Sequence, residues 1–214
     1  MKFLLDVSPA KLKVKRSLFT NLIGGQLLTP LTYYADWEGE YAIDNGAFSS
    51  FDKKAFSRLL KRQVKRKERC LFVTIPDVVG NGRRTLELWK YRNRFAPHWP
   101  HALVAQNGCE DLEIPWSEME ALFIGGRDPW KTSLAVTDLI KTAKTLNIHV
   151  HVGRVNTPQR YDHFTEQGAD TCDGSGVCKY DHMLEDIKFQ LQHVPPTLFD
   201  EAKNNDTHNN PSFA

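Results

Sequence analysis

Short apolar runs alternate with amphipathic or basic stretches along most of the chain. Lys2–Val7, Leu31–Ala35, Glu40–Ile43, Cys70–Ile75, Ala102–Ala105, Ala121–Ile124, Ile148–Val152 and Ala169–Cys172 read as strands, each apolar or β-branched and most bounded by Gly, Pro, Asn or Asp. Helical spacing recurs between them. The basic segment Lys11–Arg16 leads into a short helix over Leu18–Ile23, stopped by Gly24-Gly25. Asp52 caps a helix over Lys53–Lys67 whose Phe56, Leu59, Leu60 and Val64 share one face. Further helices are expected over residues 82–95, 128–146 and 180–193, the last ended by Pro195-Pro196. Thr157-Pro158 joins an N-cap to a ring that fits the first helical position, and Gly168 ends that helix. The strands show little polar alternation, as expected where both faces of a sheet are covered. Together these elements predict a compact (β/α)8 TIM-like barrel, irregular in its early units, with an open doubly wound sheet as the alternative. Residues 1–199 form one catalytic domain on this reading, and the Asn-rich 200–214 a disordered tail.

Composition narrows the class. A chain of 214 residues suits one well-buried domain, and 41% apolar with 25% charged residues is ordinary for a soluble protein. There is no apolar run of membrane-span length and no signal-peptide pattern. Four cysteines without a C-x-x-C pair point to reduced thiols, so a cytoplasmic protein without disulfides, a zinc site or a membrane partner is expected. No metal-ligand spacing is present, and no cofactor is expected. The net charge of +2 conceals an asymmetry: residues 1–100 carry +10 and residues 101–214 carry −8. One half can face a polyanion.

The candidate chemistry lies at the strand ends. Asp44, Asp77, Gln106, Gly125-Gly126, Gly153-Arg154 and Asp173 each follow a predicted strand, and a barrel would gather them at its carboxyl-terminal mouth. Any single Asp at a loop start is as well explained by a turn or a cap. Their recurrence from strand to strand favours a site. Asp173 leads the set, because Gly174-Ser175-Gly176 after it lets backbone approach a ligand.

These residues carry a resemblance. Ala42-Ile43-Asp44-Asn45-Gly46-Ala47-Phe48 resembles the D-S-G-G-F motif of the tRNA-guanine transglycosylase superfamily. Val104-Ala105-Gln106-Asn107-Gly108 is similar to its V-Q-G-G segment, Phe123–Gly126 to the following G-G turn, and Asn147–Gly176 to its G-V-G-x-P-x-D-L…G-x-D-x-x-D stretch. The resemblance implies Asp173 as nucleophile, Asp44 as the second catalytic carboxylate, and Asp77, Gln106, Asn107, Gly125 and Gly126 as base-binding positions. The family's tRNA enzymes carry a zinc subdomain with a C-x-C-x-x-C…H pattern that this chain lacks. Its outline is more similar to the compact DNA-directed branch, linked to 7-deazaguanine bases in phage and bacterial DNA, and to phage DNA modification or anti-phage defence. The implied partners are DNA and a free deazaguanine base.

The same residues suit cleavage of a base–sugar bond. A carboxylate beneath the sugar meets the oxocarbenium charge, and a second moves a proton. The expected outcomes are excision to water or exchange for another base. Lys61, Arg62, Lys65 and Arg66 on the basic helix, with Arg154, are the expected phosphate-backbone contacts. His149 and His151 alternate on one strand and read as packed or hydrogen-bonded core histidines. A non-catalytic nucleic-acid module, a tRNA-directed transglycosylase and a metabolic barrel on a small ligand are the competing readings.

Overall fold

The computed structural model describes residues 1–32 and 35–193. Eight strands close into one parallel barrel in sequence order: β1 (Lys2–Leu5), β2 (Ile23–Leu28), β3 (Tyr41–Ile43), β4 (Cys70–Thr74), β5 (His101–Ala105), β6 (Ala121–Ile124), β7 (His149–Val152) and β8 (Thr171–Cys172). The ring shuts where β1 pairs β8, with Lys2 opposite Thr171 and Phe3 opposite Cys172. The (β/α)8 expectation therefore holds, and the open sheet is excluded.

The helices are α1 (Pro9–Leu18), α2 (Lys53–Gln63), α3 (Gly82–Trp89), α4 (Arg92–Phe95), α5 (Leu134–Thr145), α6 (Pro158–Glu166), α7 (Ser175–Lys179) and α8 (Asp181–His193). Among the described residues, the β2–β3 and β5–β6 connections hold no α-helix. This makes the barrel compact. The helix expected over 53–67 tightens into a 3₁₀ turn at Val64–Arg69, and the one expected over 82–95 breaks between Trp89 and Arg92.

One early unit differs from expectation. The second strand is Ile23–Leu28, not Leu31–Ala35, and the helix before it is Pro9–Leu18, not Leu18–Ile23. Gly24-Gly25 thus sits inside a strand. A Cβ on Gly25 would lie 2.2 Å from the Glu40 carbonyl oxygen, so the glycine marks close backbone approach and not a helix stop. Tyr33 and Tyr34 of the expected strand, and the whole of 200–214, lie outside the described residues.

Two apolar clusters result. The larger lies between barrel and helices, with Phe3, Tyr41, Phe56, Val73, Trp89, Ile140 and Phe164 among its members. The smaller fills the barrel, with Leu4, Leu27, Ala42, Phe72, Ala102, Val104, Ala121 and Phe123. Side chains alternate along a strand, so positions two residues further on share that inward direction. These are Asp44, Thr74, Gln106 and Gly125, joined by Gly153 and Asp173 from β7 and β8. All six line a cavity of about 250 Å³ at the carboxyl ends of the strands.

Candidate active site

Both carboxylate oxygens of Asp173 are held in this cavity. Its Oδ1 accepts the Arg154 backbone N–H at 3.1 Å, and its Oδ2 lies 3.0 Å from His151 Nε2. Burial alone would push its carboxyl up. The hydrogen bond and charge of His151, the Arg154 N–H and the nearby Lys131 outweigh that, and hold it below the ordinary carboxylate value. Arg154 reaches the required backbone geometry at φ 61°.

His151 is fully buried between Phe72 and Phe123, with ring centroids 5.1 and 4.7 Å away. Its Nδ1 is 2.9 Å from Thr171 Oγ1, and that oxygen is 2.8 Å from His149 Nε2. With Asp173 ionised, the neutral form of His151 satisfies the chain in the following way, while its imidazolium, whose charge lowers the Asp173 pKa, donates from both ring nitrogens. His151 donates from Nε2 to Asp173 and accepts at Nδ1 from the Thr171 hydroxyl, which accepts from His149. Burial keeps His149 neutral, its pKa pushed down to about 4. A line of donors therefore runs up the barrel axis to Asp173. Both are thus packed, hydrogen-bonded histidines, as their alternation on the strand leads one to expect, and what the sequence does not show is their link to Asp173. His-Val-His-Val puts both imidazoles on the inward face.

We expect His151→Phe to keep the packing but remove this donor. The Asp173 pKa then rises, and the acid limb of any rate–pH profile moves to higher pH. His151→Gln, which restores an N–H, should recover part of the loss. An unmoved acid limb in His151→Phe would show that the histidine only fills space.

Asp44 is tuned the other way. Burial pushes its carboxyl to about 7, with the charges of Asp173, Asp77 and Asp6 adding and a Gly46 N–H bond at 2.9 Å opposing. The cavity thus holds one carboxylate fixed in the ionised form and one poised near neutrality. That division suits a charge stabiliser or nucleophile beside a proton donor and acceptor.

Asp77 and Gln106 hold each other. Gln106 Nε2 donates to Asp77 Oδ2 at 2.7 Å, Asn45 Nδ2 donates to Asp77 Oδ1 at 3.0 Å, and Gln106 Oε1 accepts the Gly80 N–H at 2.7 Å. Burial raises the Asp77 pKa against these bonds. The second Gln106 Nε2 hydrogen and the remaining Asp77 lone pairs are left for a ligand edge.

Gly125, Gly126 and Arg154 also line the cavity. The Arg154 guanidinium bonds the Gly126 carbonyl and sits 4.8 Å above the Phe48 ring. Asn107 does not line the cavity: its Oδ1 accepts the Arg127 N–H at 2.9 Å, tying two mouth loops together. Lys61, Arg62, Lys65 and Arg66 are also elsewhere. They occupy the last turn of α2 and the turn leading into β4, which the connectivity places towards the amino-terminal end of the barrel. Arg62 and Arg66 lie 3.6 and 3.7 Å from Asp36, and Arg66 stacks on Tyr41 at 5.0 Å. The basic groups that connectivity puts at the mouth are Lys53 and Lys54 opening α2, Arg83 and Arg84 near the start of α3, and Arg127 after β6.

Gly153 leaves the space in which Asp173 stands. A Cβ there would lie 2.9 Å from the Phe123 ring and 3.4 Å from Asp173 Oδ2. Gly153→Ala should cost roughly 1–3 kcal/mol of stability by overpacking, read as a lower denaturant midpoint. Wild-type stability in this variant would mean the Phe123 ring yields freely.

Asp170, by contrast, is structural: it pairs Lys144 at 2.6 Å and accepts the Val150 N–H at 2.8 Å. Among the described residues no helix is long and apolar enough to cross a membrane.

No family model matches the chain, and no curated protein matches it. Solved structures do. A flavocytochrome b2 variant shares 13% identity over 100% of this chain and 75% of its own, with a TM-score of 0.49. Native KDPGal shares 13% over 88% of each chain at 0.45. A cube-shaped protein cage designed by fusing symmetric oligomeric domains shares 11% over 96% and 73% at 0.40. These likenesses say nothing of chemistry, and the fold stands on this chain's own strand order.

Proposed function

We propose that this protein is an enzyme that cleaves the N-glycosidic bond between deoxyribose and a modified nucleobase in DNA. The observation that carries the reading is the opposite tuning of Asp173 and Asp44 within one cavity. As the bond to C1′ stretches, positive charge grows on the sugar, and the ionised Asp173 meets it as an ion partner or as a covalent ester. Asp44, protonated in part near neutral pH, gives its proton to the departing base. It then takes one back from water, which completes excision, or from a second base, which completes exchange.

The cavity supports a flat ring system of nucleobase size. It is smaller than the roughly 300–1,000 Å³ of pockets for drug-sized ligands. Its Asp77–Gln106 pair offers an acceptor and a donor side by side. Reaching it from a duplex requires flipping the nucleotide out, at a cost of a few kcal/mol. The cations at the mouth favour a phosphate backbone there. Neither α2 nor α3 has an acidic residue in its first turn. Lys53, Lys54, Arg83 and Arg84 open these helices, with Asp52 capping α2 and Glu87 3.4 Å from Arg84, and a polyanion would gain from the cations gathered there. A module that only bound DNA would gain nothing from carboxylates at this mouth, since they repel phosphate.

The test is incubation with DNAs bearing natural and hypermodified bases, with and without a free deazaguanine. Released bases are identified by mass, and the strands are then treated with alkali. Alkali-labile sites without added base indicate excision; incorporation of the added base without breaks indicates exchange. Release of no base from any DNA would refute the reading.

A further inference from the structure

Among the described residues two lysines are fully buried, and they are treated differently. Lys15 is 1% exposed and paired: its Nζ bonds the Asp181 carboxylate and donates to the Val177 carbonyl at 3.0 Å. Lys131 is also 1% exposed, yet its Nζ has one hydrogen bond, to the Gly153 carbonyl at 2.6 Å. Among the described residues no carboxylate lies within ion-pair distance of it. It lines the cavity that holds Asp173 and Asp44.

An ammonium with three donors and one acceptor is a poor use of a buried site. A neutral amine there is a good nucleophile. Burial, with the cations of Arg154 and Arg160 adding and Asp173 opposing, brings the Lys131 pKa down to about 7. At pH 7 a large share of this amine is unprotonated. A lysine of ordinary pKa has roughly a thousandfold less.

Resting on the glycosidic reading, we propose that Lys131 gives the cavity a second activity: it condenses with the abasic sugar and cuts the strand on its 3′ side. The neutral Nζ adds to the C1′ aldehyde of the ring-opened deoxyribose. The carbonyl oxygen leaves as water, giving an imine. Protonated on nitrogen, the imine acidifies the C2′ hydrogen, and a carboxylate takes that proton, a role for which Asp44 stands in the same cavity. The electron pair left on C2′ forms the C2′–C3′ double bond and expels the 3′ phosphate by breaking the C3′–O bond. One water hydrolyses the imine and returns the amine. No oxidant, reductant or metal enters the balance.

The experiment uses the full chain and an oligonucleotide whose abasic site is made beforehand, so that no base release is needed. Borohydride is added to reduce any imine to a stable amine. The wild-type protein should form a covalent protein–DNA adduct at pH 7 and, without borohydride, nick the strand. Peptide mapping of the wild-type adduct should place it on Lys131. In Lys131→Arg and Lys131→Met the adduct should fall at least about a hundredfold, in line with the scarcity of neutral amine among ordinary lysines. Mapping to Lys15, to the N-terminus or to any other amine would overturn the proposal, even if neither variant folds. So would a variant that traps as well as wild type.

Base release is measured on the wild type in parallel. Release without trapping removes the lysine step and leaves the glycosidic reading intact. Trapping without release removes the glycosidic reading for the DNAs used and leaves the lysine chemistry. Absence of both removes both.

Discussion

Asp173→Asn should stop turnover while the barrel still folds. Removing a buried catalytic carboxylate costs about four orders of magnitude in rate in enzymes that depend on one, and a loss of that size is expected here. The amide is nearly isosteric, and the surroundings can accept it. Asn offers one oxygen where Asp offers two, so it can keep either the Arg154 N–H or the His151 donor, but not both. His151 answers by changing tautomer: Nε2 accepts from the new amide, and Nδ1–H donates to Thr171 Oγ1, 2.9 Å away. What is lost is one charge-assisted hydrogen bond, roughly 1.5–3 kcal/mol, or a melting shift of about 3–12 °C. Turnover within a few-fold of wild type, at similar stability, would remove Asp173 from the chemistry.

Asp44→Asn should inactivate the protein and stabilise it at once. A carboxyl whose folded pKa lies above its unfolded value holds extra protons in the folded state. The stability it supports is full below about 3.8 and is lost as pH rises towards about 7. Above that point wild type carries a buried charge that an amide does not. A shift of about three units corresponds to about 4 kcal/mol, an upper value because Asp44 is only partly buried. Between pH 5 and 8 the melting temperature of wild type should therefore fall relative to that of Asp44→Asn. The comparison must be between the two proteins, because His149, with its pKa lowered to about 4, pulls the wild-type curve the other way below pH 6.5. Activity should drop roughly 10²–10⁴-fold, the usual worth of a general acid or base. Parallel melting curves across this range would show that Asp44 is ionised throughout.

The barrel can be read from the chain because parallel strands buried on both faces leave short, uniformly apolar runs, and seven of the eight expected strands end within two residues of the observed ones. The failures share a cause. Ile23–Leu28 was missed because Gly24-Gly25 looks like punctuation, and only the carbonyl of Glu40 explains why glycine is needed there. The helix at Pro9–Leu18 carries an ordinary start signal, Ser8 followed by Pro9, which its basic residues obscured. At the mouth, the period of two along each strand carried Asp44, Gln106 and Asp173 into one cavity. It could not reveal Lys131. That residue arrives from the Trp130–Thr132 turn after β6, and its burial depends on how the loop folds back over the barrel. Nor does a local pattern say which end of a helix points to the mouth. The same basic helix has Lys53 and Lys54 at the mouth and Lys61 and Arg62 a full helix length away, outside the cavity lining.

The closure of the ring by β1 and β8 also bears on the life of the chain before it is complete. Asp173 follows a strand of two residues, and that strand is held by β7 on one side and by Lys2 and Phe3 on the other. The carboxylate therefore follows a strand that is held on both sides only once β1 meets β8. Contacts so distant in sequence form late in folding. A nascent chain or a fragment ending before β8 would carry Asp44, Asp77 and Gln106 but no assembled centre. For a protein whose proposed substrate is a modified base in DNA, that order of assembly keeps the reaction silent until the ring is whole.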